Sequence, residues 1–157
     1  MSRAIAVLDI DGTVADARHR LHLIGDGAAS ADKTDSDDRT EHEQWVRFFD
    51  AAVDDPPLPE GVAKARQLAE VHDIVWLTGR PERLRAVTER WLAQHGLPTG
   101  RLLMLPDGDR TLTRRYKLDA IRRLAEEREV AVVIDDDPRV VALLEAANLP
   151  VLRADWS

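Results

Sequence analysis

Near its amino terminus the chain carries the stretch Ala4-Ile-Ala-Val-Leu-Asp-Ile-Asp-Gly-Thr-Val14. Its first half, residues 4–8, is apolar and long enough for a short buried strand. The run ends abruptly in two carboxylates, Asp9 and Asp11, which a Gly-Thr pair follows. Residues two apart in an extended segment point to the same side, so we expect both acids to face one site at the end of the strand. A hairpin with an Asp-Gly turn is the alternative interpretation.

The composition is that of a soluble globular protein. Of the 157 residues, 44% are hydrophobic and 32% are charged, which suits a single domain over residues 1–157. No apolar run approaches the roughly 18 residues of a membrane span, and the first run is too short for a signal peptide. The chain has no cysteine, which excludes disulfides and thiolate chemistry. We therefore expect a cytoplasmic protein.

The net charge of −7 argues against broad electrostatic binding to nucleic acid. One segment is an exception, because between Arg110 and Arg123 six basic residues accompany a single acid, Asp119. This basic segment is the candidate contact with a polyanion. The alternative is a solvated helix face with no ligand.

Strands and helices alternate along the rest of the chain. Short apolar runs begin at Ile74, Leu102, Val130 and Val151, and segments with helical apolar spacing separate them. This order predicts an α/β fold, a Rossmann-like three-layer sandwich with a mostly parallel five-stranded sheet.

Two prolines indicate where helices begin. Pro81 is predicted to occupy the first position of the helix after the second strand. Asp137 is predicted to cap a later helix, with Pro138 in its first turn.

Residues 15–59 are predicted to form a loop and a short helical insert near the site, too short for a large cap. Within it, residues 32–38 are rich in acids and turn formers and predict a solvated loop. A calcium site is the less favoured interpretation, since no glycine or bidentate glutamate stands at the required spacing.

Polar residues follow three of the predicted strands directly. Asp9, Thr78 and Asp135 stand at these positions, and ligands of open parallel sheets bind outside the carboxyl ends of the strands. We therefore expect one site at this edge. Together with Asp11 and Asp136 it crowds carboxylates, and two like charges 4 Å apart repel by about 4 kcal/mol at an effective dielectric of 20. Such a cluster requires a cation, protonation or basic neighbours, for which Arg80 and Lys117 are the candidates.

Two competing motifs do not match the sequence. An EF-hand loop beginning at Asp9 needs glycine at its sixth position and glutamate at its twelfth, where this chain has Val14 and Arg20. The phosphate-binding pattern GxxxxGK[ST] occurs nowhere in the sequence.

With these residues in place, the sequence resembles the haloacid dehalogenase superfamily. Residues 9–14 resemble its first motif, Thr78 its second, Lys117 its third and Asp135-Asp136 its fourth. The resemblance implies a sheet of five parallel strands, a minimal cap or none, Mg²⁺ at the carboxyl edge, and hydrolysis through an aspartyl-phosphate.

A closer resemblance is to the phosphatase domain of phage-type polynucleotide kinase/3′-phosphatases. It rests on Leu77-Thr-Gly-Arg80 and on Ile134-Asp-Asp-Asp-Pro-Arg-Val140. Arg20, eleven residues after Asp9, stands where that group has an arginine that contacts substrate. Thr113 departs from the pattern, since that group has an acid there.

The resemblance assigns roles that the chemistry supports. Asp9 is expected to be the nucleophile, and Asp11 to protonate the leaving oxygen and later to accept a proton from water. Thr78 and Lys117 are expected to hold the phosphoryl oxygens as further catalytic residues.

The remaining expected roles concern substrate and metal. Gly79, Arg80 and Arg20 are expected to bind the substrate phosphate with Thr78 and Lys117. The expected Mg²⁺ ligands are the Asp9 carboxylate, the Asp11 backbone carbonyl and Asp136, with Asp135 orienting Lys117 or the waters of the metal.

Three functions remain open from the sequence. A polynucleotide 3′-phosphatase acts on a nucleic-acid 3′ end, to which an open site gives access. A general phosphatase of nucleotides or small phosphate esters has the same fold. A non-catalytic phospho-accepting module is less favoured, because receiver domains carry their phosphorylated aspartate after the third strand, where this chain has Pro106-Asp107-Gly108.

Overall fold

A computed structural model describes residues 3–24 and 38–157. The predictions for residues 32–37 of the acid-rich segment therefore lie outside the described residues, and Asp38 begins a helix.

The described residues form five strands and five helices. The strands are β1 (Ile5–Leu8), β2 (Asp73–Pro81), β3 (Arg101–Leu105), β4 (Val130–Asp135) and β5 (Val151–Arg153). The helices are α1 (Asp38–Asp50), α2 (Pro59–Ala69), α3 (Arg85–Gln94), α4 (Thr113–Glu127) and α5 (Pro138–Ala146). Short 3-10 segments lie at Arg18–Leu23, Ala51–Asp54 and Glu82–Leu84. None of the described helices is long and apolar enough to cross a membrane.

The sheet confirms the predicted fold class. Its strand order is β3-β2-β1-β4-β5, and every neighbouring pair is parallel. From β1 the chain builds outward through β2 to β3 and then returns to the other flank of β1 with β4. The order of the strands thus reverses between β1 and β4, which is where open α/β sheets bind ligands.

Helices cover both faces of the sheet. Ile5 and Val7 of β1 pack against α4 and α5, whereas Ala6 and Leu8 pack against α2 and α3. This alternation is the period of two that an extended strand imposes. Because both faces are buried, the strands are apolar along nearly their whole length.

The prediction for Pro81 is wrong. Pro81 has an extended backbone with ψ of 150°, pairs with Leu105 as the last residue of β2, and precedes a 3-10 turn. The α-helix begins only at Arg85. Proline favours a helix start through its fixed φ, but the same φ is compatible with an extended strand end. By contrast, Asp137 and Pro138 cap α5 as predicted, with the Asp137 side chain accepting a hydrogen bond from the Arg139 backbone N–H.

The two acids after β1 lie on a tight turn rather than a hairpin. The Ile10 carbonyl accepts hydrogen bonds from the backbone N–H groups of Thr13, Val14 and Ala15. The Thr13 carbonyl in turn accepts a hydrogen bond of 2.8 Å from Trp156 Nε1, and a Cβ on Gly61 would lie 1.7 Å from the same oxygen. Helix α2 and the carboxyl-terminal segment therefore pack directly against the turn that carries Asp9 and Asp11.

Candidate active site

One half of the site faces α4 and α5, as the alternation along the strands requires. Asp9 continues the series of Ile5 and Val7, and Asp135 continues that of Val133, all on this face of the sheet. Lys117 of α4 meets both acids. Its Nζ donates to Asp9 Oδ1 at 2.8 Å and to Asp135 Oδ2 at 2.6 Å.

The other oxygens of these two carboxylates also have partners. Thr13 Oγ1 donates to Asp9 Oδ2 at 3.3 Å, and the Asp137 backbone N–H donates to Asp135 Oδ1 at 3.0 Å. Asp9, Lys117 and Asp135 are buried. Both oxygens of Asp135 are thus occupied by donors that hold it behind Lys117.

Asp136 completes an acidic cluster. Ligand oxygens of Asp9, Asp135 and Asp136 all lie within 4.8 Å of one another. Gly12 allows this approach, because its φ is +81° and a Cβ there would lie 1.9 Å from Asp136 Oδ2. Any side chain at position 12 would therefore displace the third acid of the cluster.

Burial and mutual repulsion shift the proton affinities of the cluster. Burial raises the pKa of Asp9 well above its usual value. It also raises the pKa of Asp135 to about 7 and that of Asp136 to about 6. Burial alone would lower the pKa of Lys117, but the charges of Asp135 and Asp9 outweigh it, so this pKa is raised and the amine stays charged.

These residues fit a hard divalent cation. Carboxylate oxygens crowded within one coordination sphere, with raised pKa values and a single lysine for compensation, are the donor set that Mg²⁺ prefers. The Asp9 and Asp136 carboxylates stay the predicted ligands, and Lys117 and the Asp137 backbone N–H hold Asp135 beside them. The Asp11 backbone carbonyl stays a predicted ligand.

The other half of the site faces α2 and α3. Thr78 and Arg80 continue the series of Ile74 and Trp76 along β2 on this face. Arg80 is buried, and its Nη1 donates to Thr88 Oγ1 of α3 at 3.1 Å. Thr78 is buried beside it and accepts the Arg80 backbone N–H at 3.0 Å through its Oγ1. The strand was expected to end at Leu77, but it continues through these residues to Pro81.

Asp11 belongs to this half and not to the acidic cluster. Arg80 Nε and Nη2 donate to its two oxygens at 3.1 and 2.8 Å, and Arg20 Nη2 donates at 2.5 Å. Burial works against the charge on Asp11, but Arg80 and then Arg20 outweigh it and hold its pKa well below the usual range. The two acids of the first motif therefore lie at one edge of the sheet with different partners.

Asp55 is the residue of this site that the sequence did not reveal. Its side chain is fully buried, and its carboxylate accepts two hydrogen bonds from Arg20, at 2.8 and 2.7 Å, and one from Arg80 at 3.3 Å. His19 Nε2 lies 2.7 Å from the same carboxylate. Asp55 stands just before a run of prolines, where it looks like an ordinary loop residue, and no local pattern distinguishes it.

The structure thus brings the predicted residues together in two adjoining groups. Arg20 is fully buried, bonded to Asp55, Asp11 and the Phe48 carbonyl, with its guanidinium carbon 4.2 Å from the centre of the Phe48 ring. A Cβ on Gly79 would lie 2.7 Å from Thr113 Cγ2, so the start of α4 packs on the Thr78–Arg80 segment. Contact of Thr78, Gly79, Arg80, Arg20 or Lys117 with a substrate stays a prediction.

A cavity of about 400 Å³ lies at the opposite, amino-terminal edge of the sheet. It is bordered by Asp73 and by Arg3 and Arg128, which pair with that carboxylate. None of the predicted site residues lines it. The chemistry of the carboxyl edge, and not the volume of this cavity, identifies the candidate site.

Removal of the Lys117 charge tests the compensation of the buried acids. In Mg²⁺-free buffer we expect Lys117→Met to lower the free energy of unfolding by about 3–5 kcal/mol at pH 8, because two buried carboxylates lose their cation. The loss should be smaller at pH 5, where Asp9 and Asp135 can take up protons. Urea denaturation measures both values. Arg115→Ala, at an exposed position of the same helix, should change stability by no more than about 0.5 kcal/mol. A loss below about 1 kcal/mol for Lys117→Met at pH 8 would contradict this account.

Mg²⁺ binding is expected to strengthen as the pH rises from 5 to 8. The pKa of Asp135 is raised to about 7, that of Asp136 to about 6, and that of Asp9 is raised as well, so protons compete with a cation more strongly at pH 5 than at pH 8. Calorimetric titration should show tighter binding, and fewer protons released, at pH 8 than at pH 5. Asp136→Asn should weaken binding, whereas Asp73→Asn at the opposite edge should not. Affinity that is independent of pH would show that these acids do not hold the ion.

Comparison with known proteins supports the fold. A family model described as the LNS2 domain of PITM 1-3 matches residues 62–135, less than half of the chain. A sequence comparison with curated proteins finds no match.

Solved structures match nearly the whole chain at low sequence identity. A chain of the Pnkp1/Rnl/Hen1 RNA repair complex matches with a TM-score of 0.72 and 19% identity, over 97% of this chain and 42% of that one. A second structure of the Pnkp1/Rnl/Hen1 complex gives a TM-score of 0.66 at 19% identity, over 97% of this chain and 46% of that one. The protein thus spans less than half the length of these two chains.

A third match is more nearly equal in length. The haloacid dehalogenase-like hydrolase SP0104 from Streptococcus pneumoniae matches with a TM-score of 0.67 and 10% identity, over 96% of this chain and 84% of that one. Together with the parallel sheet and the position of the acids at its carboxyl edge, these matches show that the chain has the haloacid dehalogenase-like fold.

Proposed function

We propose that this protein is a Mg²⁺-dependent phosphomonoester hydrolase that acts through an aspartyl-phosphate at Asp9. The observation that carries the proposal is a buried Asp9 carboxylate that Lys117 and Thr13 hold in place, with Asp136 close by. A carboxylate in this setting is a nucleophile of fixed position.

In the first step an oxygen of Asp9 attacks phosphorus. A bond forms between that oxygen and phosphorus, the ester bond from phosphorus to the leaving oxygen breaks, and Asp11 gives a proton to the leaving oxygen. The paired Asp11 carboxylate does not hold a proton, since Arg80 and Arg20 keep its pKa low. The proposal therefore requires that one of these arginine contacts is given up in the substrate complex, while the other keeps Asp11 in place.

In the second step water attacks the phosphorus of the aspartyl-phosphate. Asp11 accepts a proton from this water, the bond between Asp9 and phosphorus breaks, and inorganic phosphate leaves. The Lys117 amine lies 2.8 Å from Asp9 Oδ1. From this position the amine can stabilise charge on the oxygens of a phosphoryl group attached to Asp9. Bound Mg²⁺ would offset the charge of the nucleophile and polarise the phosphoryl group.

For the substrate we propose a phosphorylated nucleic-acid 3′ end. The resemblance of residues 77–80 and 134–140 to polynucleotide 3′-phosphatases supports this, as does the likeness in fold to a chain of an RNA repair complex. Helix α4 begins against the Thr78–Arg80 segment, and Arg115 in its first turn is exposed and lies 3.7 Å from Asp119. A polyanion is the ligand that such residues attract in a chain that is acidic overall.

A substrate panel tests the proposal. With Mg²⁺, we expect the protein to release phosphate fastest from 3′-phosphorylated DNA or RNA, and more slowly from 5′-phosphorylated oligonucleotides, nucleotides and sugar phosphates. Asp9→Asn should lower the rate by at least about 10⁴-fold. Arg115→Ala should reduce turnover of oligonucleotides but not of small esters.

The possible outcomes separate the parts of the proposal. If the protein hydrolyses only sugar phosphates, its substrate is a small ester and not a polynucleotide, and the proposed mechanism stands. Full activity of Asp9→Asn would remove Asp9 as the nucleophile.

A further inference from the structure

Asp55 is a buried carboxylate that the proposed reaction does not use. Among the four charged groups of its network, the side chains of Asp55, Arg20 and Arg80 are 0% exposed, whereas that of Asp11 is 24% exposed. Asp11 therefore lies between the other three groups and the open side of the site. Asp55 reaches Asp11 through the two arginines, and its other titratable neighbour is His19, at 2.7 Å.

The hydrogen bonds divide the two arginines between the two acids. Arg20 directs Nε and Nη2 to Asp55 as a two-pronged contact, at 2.8 and 2.7 Å. Arg80 directs Nε and Nη2 to Asp11, at 3.1 and 2.8 Å. Arg20 Nη2 also donates to Asp11, and Arg80 Nη2 also donates to Asp55. Asp11 Oδ1 therefore accepts a hydrogen bond from both arginines. Asp55 holds Arg20, and Arg20 with Arg80 fixes the Asp11 carboxylate.

Asp55 is itself held independently of the arginines. It follows the 3-10 segment Ala51–Asp54, and its backbone N–H donates to the Ala52 carbonyl at 3.1 Å. Its carbonyl accepts a hydrogen bond of 2.9 Å from Trp91 Nε1, a buried side chain of α3. The anchor point is thus part of the packed core and does not depend on Asp11.

From these contacts we propose that Asp55 is a positioning residue for the reaction, acting through Arg20 and Arg80 on Asp11. The inference rests on the proposed function, in which Asp11 moves the proton. Two guanidinium groups share two carboxylates here, and the charges balance. An asparagine at position 55 would remove one negative charge and turn amide N–H donors toward guanidinium donors. Both arginines would then compete for Asp11 and displace its carboxylate.

The first test is the split between kcat and KM for Asp55→Asn, measured on the best substrate of the wild-type protein. We expect kcat to fall by at least about tenfold, because proton transfer depends on the position of Asp11. KM and Mg²⁺ affinity should stay within about twofold of wild type. A raised KM with unchanged kcat would overturn the proposal, since the arginines would then act on the substrate directly.

Asp73→Asn is the control for loss of an arginine pair away from the site. Asp73 also pairs with two arginines, Arg128 at 2.8 Å and Arg3 at 3.8 Å, but it lies at the opposite edge of the sheet. The Asp73→Asn substitution should leave kcat and KM unchanged. An equal loss in both variants would mean that any broken arginine pair lowers activity, and the proposal would fail.

A double variant separates positioning from general destabilisation. If Asp55 acts through Asp11, its replacement should have little further effect once Asp11 is asparagine, so Asp11→Asn and the double variant should have similar kcat. If the loss of kcat in the double variant equals the product of the two single losses, the inference is contradicted, because Asp55 would then act by another route.

Folding is checked by thermal melting, since Asp55 is buried. If Asp55→Asn does not fold, Asp55→Glu keeps the charge and moves the carboxylate by one methylene, and the same fall in kcat is expected. Failure of both variants to fold would assign Asp55 to stability and overturn its role in the reaction. An inactive wild-type protein would overturn the proposed function and this inference together, whereas wild-type kcat in a folded Asp55→Asn would overturn this inference alone.

Discussion

Repulsion between carboxylates at one edge of the sheet is the constraint on which this structure depends. Five of them, Asp9, Asp11, Asp55, Asp135 and Asp136, are brought together there with three cationic side chains, Lys117, Arg20 and Arg80. If all eight groups are ionised, their net charge is −2, which is the charge that one Mg²⁺ ion balances. Burial first, and repulsion from neighbouring carboxylates second, raise the pKa values of Asp9, Asp135 and Asp136, so protonation is the other way to reduce the repulsion.

The strands and the turn after β1 sort these charges into two groups. On the α4 and α5 face, Lys117 donates hydrogen bonds to Asp9 and Asp135, and Asp136 lies beside these two acids. On the α2 and α3 face, Arg80 and Arg20 donate hydrogen bonds to Asp11 and Asp55. The two groups correspond to the two tasks of the proposed reaction, which are attack on phosphorus with a metal and transfer of a proton. Asp9 and Asp11 are two residues apart, so alternation alone would place them on one side. The strand ends at Leu8, and the turn closed on the Ile10 carbonyl gives the two acids different partners.

Much of this site could be predicted from the sequence, because its residues directly follow apolar strands. Asp9, Asp135 and their approach to Lys117 follow from the order of strands and from the family resemblance. Asp55 could not be found in this way. Its partners are 25 and 35 residues away along the chain, and only the packing of the 3-10 segment before it against α3 brings them together. Arg20 was expected to contact substrate, but its burial behind Asp11 depends on the same long-range contacts.

The limits of β2 show the same division between local and tertiary information. Thr78 to Pro81 contain a glycine and a proline, which locally indicate the end of a strand and the start of a helix. Pairing with β3 as far as Leu105 keeps this segment extended, and the extension points Arg80 toward α3 and Asp11. Tertiary pairing therefore overrides the local preference at the point where the site needs it.

The most direct test of the central claim is to trap the acyl-phosphate by borohydride reduction during turnover and to locate the reduced residue by peptide mass mapping. The account predicts that position 9 becomes homoserine, only when substrate and Mg²⁺ are both present. Reduction at another acid, or at none while phosphate is being released, would contradict the account, because the buried Asp9 would then not be the group that attacks phosphorus.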